Sequence, residues 1–175
     1  VKRTVSRGAL RKRCLHWTRI MGTAGAVKHA AALTQSDPFM VVNGDSLIEI
    51  DPNQLLEFHA AKQGWATIAL ASAGVRSDVG FVTVNSYAQV TAFTEKQPGT
   101  APQYHNAGLY VFRRDVLKEI PDHRLSSIER DVLPALLPRG VYGFVSAAAL
   151  YDIGTPERLA EFASSRHEWR GGVLS

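Results

Sequence analysis

The chain has 175 residues, 45% of them apolar, which suffices for one buried core. Cys14 is the only cysteine, so an intrachain disulfide and a cysteine-rich zinc site are excluded. The net charge of +4 is lopsided: residues 1–20 carry seven Lys or Arg and no acid, while the other 155 carry 13 Lys or Arg against 16 Asp or Glu.

That basic start contains no nucleic-acid-binding motif and no amphipathic period, so nucleic acid is not an expected partner. It reads as a poorly ordered stretch, 1–20, ahead of one domain over 21–170. No apolar run approaches the ~18 residues of a membrane span, and the start lacks the apolar segment of a signal peptide. A soluble, cytoplasmic protein without membrane contact is expected.

In chain order, Gly22-Thr-Ala-Gly25 followed by an alanine-rich run to Leu33 predicts a loop entering a helix whose first amides face an anion or a polar base. Phe39–Val42 is a short, continuously apolar run, as in strands buried on both faces. Asp51-Pro52 opens a helix by the cap-plus-proline rule, with Leu55, Leu56, His59 and Ala60 inward and Gly64 as its stop. Trp65–Ala71 is the next strand, which completes a strand–helix–strand unit of the kind that builds parallel sheets.

Three further strands are expected at 80–84, 89–94 and 107–112. Ser126-Ser-Ile-Glu129 has the spacing of a capping box for a helix running toward Leu137, bent or shortened by Pro134. Tyr142–Ala147 reads as a strand, and Thr155-Pro156 caps a last helix reaching about Trp169.

Chemistry concentrates at strand ends. Asp45 follows the run Phe39-Met-Val-Val-Asn-Gly, and Asp152 follows Ala149-Leu-Tyr. Two carboxylates delivered this way can share a hard divalent cation such as Mg2+, which keeps sites open for phosphate oxygens. Each also has a plain structural reading: Asn43-Gly44 is a turn signal, and an Asp beside the Thr155-Pro156 cap complements a helix dipole. Glu95-Lys96 is either a solvated pair or an acceptor for sugar hydroxyls beside a point charge for phosphate. Asn106 both donates and accepts, which suits hydroxyls, while Gly108 marks a bulge or a close backbone approach. Gly80 stands at the mouth of another strand. No Gly-x-Ser-x-Gly elbow, zinc-helix histidine spacing or Walker-type phosphate loop occurs.

Five segments in order, Met21-Gly-Thr-Ala-Gly-Ala26, Val42-Asn-Gly-Asp45, Phe93-Thr-Glu-Lys96, Asn106-Ala-Gly-Leu-Tyr-Val-Phe112 and Asp152-Ile-Gly-Thr-Pro-Glu-Arg-Leu159, resemble the sugar-1-phosphate nucleotidyltransferase family, nearest its mannose or manno-heptose 1-phosphate guanylyltransferase branch. The resemblance covers roughly residues 21–163. It implies a doubly wound, Rossmann-like α/β fold of the nucleotide-diphospho-sugar transferase type: a mixed sheet with helices on both faces. It also implies transfer of a nucleotidyl group from a nucleoside triphosphate, GTP by that branch, to a sugar 1-phosphate, with Mg2+ as cofactor.

By the same resemblance Asp45 and Asp152 are metal ligands and, with Lys96, catalytic. Gly22, Thr23, Ala24, Gly25, Asn43 and Gly44 meet the nucleotide, and Gly80, Glu95, Lys96, Asn106 and Gly108 meet the sugar phosphate. A homo-oligomer is compatible with the resemblance. Members carry a glycine-rich, Arg-containing triphosphate loop well upstream of the Met21 segment, and residues 1–20 do not contain one, so the fold is expected to be N-terminally incomplete. Two other readings stay open: a non-catalytic binding or regulatory module, and a metal-dependent glycosyltransferase, weakened because Asn43 stands where an Asp-x-Asp motif needs Asp.

Overall fold

A computed structural model describes residues 20–72, 81–94, 103–122 and 124–164. Its main sheet contains β1 (Phe39–Val42), β3 (Ala66–Ser72), β4 (Phe81–Val84), β5 (Val90–Thr94), β6 (Gln103–Phe112) and β7 (Val141–Ser146). A two-stranded ribbon joins β2 (Ser46–Ile48) to β8 (Leu150–Asp152). The order β5-β4-β6-β3-β7, with β1 also on β6, mixes parallel and antiparallel neighbours.

The expected strand–helix–strand unit is present as β1, α2 (Pro52–Lys62) and β3, with one correction. Its two strands are not neighbours, because the antiparallel β6 lies between them. β3 then pairs in parallel with β7. No local sequence signal announces an antiparallel strand inserted from 40 residues downstream; the pairing is set by what each strand buries.

Alternation along β3 and β6 divides the core between the two sheet faces. Ile68, Leu70, Tyr110 and Phe112 join a cluster with Ala24 of α1 (Gly22–Ala30), Ile128, Val132 and Leu133. Ala69, Ala107, Leu109 and Val111 instead pack with Leu55 of α2. Helical segments therefore cover both faces, as the doubly wound class requires.

Local chemistry explains the helix limits. Asp51 accepts from the Asn53 amide at 2.9 Å and caps α2 ahead of Pro52. Leu55 and His59 are buried, but Ala60, expected inward, is exposed. The helix stops at Gln63, not Gly64: Gln63 takes the left-handed conformation at φ 55°. Gly64 answers a different demand, since a Cβ there would stand 2.6 Å from the Gly140 carbonyl oxygen. The downstream helix also differs from expectation. Ser127 is the cap, a π-turn spans Ile128–Val132, and α3 is confined to Leu133–Leu136. The final helix, α4, is described over Pro156–Ser164. Among the described residues no helix is long and apolar enough to cross a membrane.

Candidate functional site

β6 has β3 along one edge, while its other edge is shared between β4 and β1. β4 pairs with Gln103–His105, and β1 pairs with Leu109–Phe112. Asn106, Ala107 and Gly108 lie where the edge passes from one partner to the other, which opens a gap in the sheet beside the C-terminal end of β1. On the β3 side, Ile68 faces Tyr110 and Leu70 faces Asn106, so the single Ala69 is opposed by three residues. This is a bulge, and Gly108 at φ +71° makes it feasible. Gly108 also admits Asn43, whose side chain would stand 3.0 Å from a Cβ at that position; the Asn43 amide donates to the Gly108 carbonyl at 2.7 Å.

The chain turns at Asn43-Gly44 out of β1 and into the β2–β8 ribbon, as the turn signal predicts. Ser46 pairs with Asp152 in that ribbon, and the Ile153 amide donates to the Asp45 carbonyl at 2.8 Å. Two carboxylates 107 positions apart in sequence therefore converge. Asp152 Oδ1 and Asp45 Oδ2 lie 3.2 and 3.4 Å from the point where a Cβ on Gly154 would stand. Glycine at 154 leaves the space between them open.

Asp152 has further partners: its Oδ1 accepts from the Gly154 amide at 2.9 Å, and its Oδ2 pairs with Arg158 of α4 at 2.7 Å. The Arg158 pair was not foreseen, although its i to i+6 reach across the Thr155-Pro156 cap is visible in retrospect. No group of three or more His, Cys, Asp or Glu side chains able to hold a metal gathers among the described residues; the two carboxylates stand as a pair, with the Ser46 hydroxyl 3.4 Å from Asp45 Oδ1.

Gly22–Gly25 form the first turn of α1, stitched to a distant segment. Ser126 donates its amide to Met21, and its carbonyl accepts from the Ala24 amide, both at 3.0 Å. One of the amides expected to face a ligand is therefore occupied by protein. Gly22 is obligatory there: φ is +71°, and a Cβ would collide with the Ser126 carbonyl oxygen.

Behind the gap runs a chain of hydrogen bonds absent from the sequence reading. The Gly108 amide donates to Asn106 Oδ1 at 3.0 Å, and Asn106 Nδ2 donates to Tyr110 Oη at 2.9 Å. Tyr110 then donates to Glu129 Oε1 at 2.9 Å. Thr23 and Ser127 hydroxyls both donate to Glu129 Oε2, at 3.2 and 2.8 Å. Tyr110 is fully buried, and burial first, then the Glu129 charge, pushes its phenol far above the ordinary tyrosine range. The Asp45 charge adds a smaller upward push. The expected capping box is thus corrected: Glu129 does not turn back to the Ser126 amide, which is bound to Met21, but points inward to Tyr110.

Of the residues singled out from sequence, Asp45 with Asp152, Asn43 with Gly108, and Asn106 with Thr23 through Tyr110 and Glu129 are brought together. Gly44 has open space around it. Gly80, Glu95 and Lys96 lie outside the described residues.

A sequence model described as Nucleotidyl transferase matches residues 3–168, nearly the whole chain. The chain belongs to the nucleotidyl transferase family. Among its relatives, a mannose-1-phosphate guanylyltransferase from Mycobacterium tuberculosis is 40% identical over 140 residues, 78% of this chain and 39% of that protein. Mannose-1-phosphate guanylyltransferase 1 from Arabidopsis thaliana is 33% identical over 148 residues, 82% of this chain and 41% of the relative. This nucleotidyl transferase chain thus spans about two fifths of the length of these relatives. Two solved structures share its fold. HddC from Yersinia pseudotuberculosis, complexed with GMP-PN, aligns at TM-score 0.71 and 24% identity, covering 86% of this chain and 64% of that one. A putative glucose-1-phosphate thymidylyltransferase from Bacillus anthracis aligns at TM-score 0.73 and 20% identity, covering 89% and 65%.

Proposed function

We propose that this nucleotidyl transferase chain carries the sugar-phosphate and metal side of a sugar-1-phosphate guanylyltransferase site, with a mannose-type sugar 1-phosphate and GTP as substrates. The observation that carries the reading is the convergence of Asp45 and Asp152 over Gly154, next to the gap at Asn106–Gly108. The relatives named for mannose 1-phosphate favour that sugar, and the guanine nucleotide in the HddC structure favours that base.

In the reaction a phosphate oxygen of the sugar 1-phosphate attacks the α-phosphorus of the triphosphate. The bond from that phosphorus to the α–β bridging oxygen breaks, and pyrophosphate leaves with the electron pair. Positioning of the two phosphates supplies much of the rate in such displacements. The donor set suits Mg2+, which accepts one or two carboxylates and leaves its remaining positions to water and phosphate; Asp45 and Asp152 would hold it. When bound, the ion offsets charge on the reacting phosphates.

The Asn106 amide offers one N–H and one carbonyl lone pair beyond its internal bonds, a match for a sugar hydroxyl at the gap. Gly22–Gly25, Asn43 and Gly44 take the nucleotide in this reading. Gly80, Glu95 and Lys96 complete the sugar-phosphate pocket, with Lys96 meeting the sugar phosphate as a point charge.

Incubation with Mg2+, GTP and mannose 1-phosphate, followed by a pyrophosphate-release assay, tests the proposal, and release dependent on both substrates is expected. Silence with every nucleoside triphosphate and sugar 1-phosphate pair would overturn catalysis by this chain. Calorimetric binding of sugar phosphate without turnover would leave a binding module in its place.

A further inference from the structure

We infer that Glu129 is a positioning residue for both substrates: its carboxylate takes the Tyr110 proton and so holds the phenol as the acceptor that anchors Asn106 Nδ2, and through Thr23 it sets the posture of the Gly22–Gly25 turn. The inference rests on the proposed function for what the two arms bind, but the coupling itself is a property of the free protein.

The polarity follows from backbone donors, which cannot reverse. At one end the Gly108 N–H requires an acceptor, so Asn106 presents Oδ1 to it and Nδ2 to Tyr110. Tyr110 Oη, receiving that N–H, must send its own proton onward, and it goes to Glu129 Oε1. At the other end the Ile128 N–H donates to Thr23 Oγ1 at 2.8 Å, and the Glu129 and Arg130 amides donate to Ser127 Oγ, both at 3.2 Å. Those two hydroxyls are thereby left as donors, and both send their protons to Glu129 Oε2. Every arrow ends on one acceptor-only group, which is what a carboxylate is and what no neutral side chain of that shape can be.

Glutamine at 129 must replace one acceptor by an NH2 donor. Oε2 serves two hydroxyls and Oε1 serves one, so the amide oxygen stays at Oε2 and the NH2 faces Tyr110. Tyr110 Oη then receives two donors while its own proton loses its partner, so the phenol must shift to find one and the Asn106 Nδ2 bond to it weakens, leaving Asn106 held by the Gly108 N–H alone. The substitution is therefore selective for the sugar arm. Tyr110→Phe breaks the same arm at its middle, and Thr23→Val breaks only the arm toward the α1 turn.

Affinities of the wild type, Glu129→Gln, Tyr110→Phe and Thr23→Val for mannose 1-phosphate and for GTP, measured by calorimetry, form the test. The expected pattern is about tenfold weaker sugar-phosphate binding in the first two variants with GTP within about twofold, and the reverse in Thr23→Val, the worth of one hydrogen bond on each arm. A uniform loss on both ligands tracking the fall in Tm, in all three variants, is what a merely structural role gives and would overturn the inference. Should the wild type bind neither ligand, the proposed function fails, and NMR of the free protein still decides on Glu129. Glu129→Gln must shift the Asn106 side-chain amide and the Gly108 amide as Tyr110→Phe does, whereas shifts confined to residues 126–131 sink the coupling.

Discussion

Around the fully buried Tyr110 a hydrogen-bond chain closes through half-buried Asn106, Ser127 and Glu129, with backbone amides setting directions at both ends; around Gly154 the two aspartates stand at the rim, one beside and one on a three-residue ribbon, Asp45 itself exposed. The first region is set before any ligand arrives, because the buried Tyr110 hydroxyl has Glu129 as its acceptor and misplacing it costs the desolvation of an unpaired group. The second region leaves its groups exposed or half-exposed to solvent, with Arg158 as a neutralising partner for Asp152. The difference follows from what each would hold. A sugar hydroxyl needs fixed directions, whereas an ion held among carboxylates, phosphates and water needs oxygens that move into place.

The largest effect that sharpens this contrast is on turnover at the rim. Asp45→Asn and Asp152→Asn each remove a charge from the carboxylate pair, and the pyrophosphate-release rate should fall by about a hundredfold or more. Tm should hardly move for Asp45→Asn, since an exposed side chain anchors little. Turnover at the wild-type rate in both variants would remove the pair from the chemistry. On the buried side the counterpart is Gly22→Ala, which meets the Ser126 carbonyl oxygen and forces a positive φ on a residue with a Cβ. A loss of about 1–3 kcal/mol in denaturant unfolding is expected, with Ala24 losing its bond to Ser126. An unchanged midpoint would show that the turn shifts freely.

The same contrast marks what the sequence disclosed. Continuous apolar runs and the Asp51-Pro52 cap placed β1, β3, β4, β5, β7 and α2 to within a residue or two, because burial and capping act locally, whereas β6 starts at Gln103, four residues ahead of the expected 107. β2 and β8 were not foreseen; three residues carry too little pattern, and their pairing is made by residues 102 to 106 positions apart. The insertion of β6 between β1 and β3 escaped for a related reason, since strand partners are chosen by faces buried across the whole chain. The convergence of Asp45 and Asp152 was suggested by two carboxylates that each follow an apolar run, but each also has a plain structural reading, and the order of segments resembling a family is what favoured the pair. Glu129 was misread because its i to i+3 distance from Ser126 matches a capping box, a rule that knows nothing of the Tyr110 hydroxyl waiting across the sheet. Gln63 in a left-handed cap was hidden by the adjacent glycine, the commoner occupant.

A third, smaller effect probes the opposite sheet face. His59 is buried on α2 with Nδ1 2.8 Å from Thr67 Oγ1. Burial, and after it the Arg113 charge, lowers its pKa from 6.5, with Asp37 opposing weakly. The folded state therefore binds this proton less readily than the unfolded chain. Its contribution is complete above pH 6.5 and is lost as pH falls from 6.5 through the lowered folded value. Tm of the wild type should decline over that interval more steeply than Tm of His59→Gln, which keeps a partner for Thr67 and has no proton to gain. Parallel curves would show that His59 does not titrate with unfolding.

The smallest stability effect belongs to Arg158, and it separates the two ways of holding a charge at the rim. Its pair with Asp152 is partly exposed, with side-chain accessibilities of 33% and 27%, so solvent screens it and Arg158→Ala should cost at most about 1 kcal/mol. Its influence on a cation should be larger than its influence on folding. The guanidinium occupies Asp152 Oδ2 and places a positive charge beside the carboxylate pair, both of which oppose cation binding. Removing it should lower the Mn2+ concentration needed for half-saturation, read by the loss of the free-ion EPR signal, and this gain should shrink as salt is added. If affinity instead falls in Arg158→Ala, the arginine is orienting Asp152 toward the ion, and the rim, like the Tyr110 relay, is set in place before its ligand arrives.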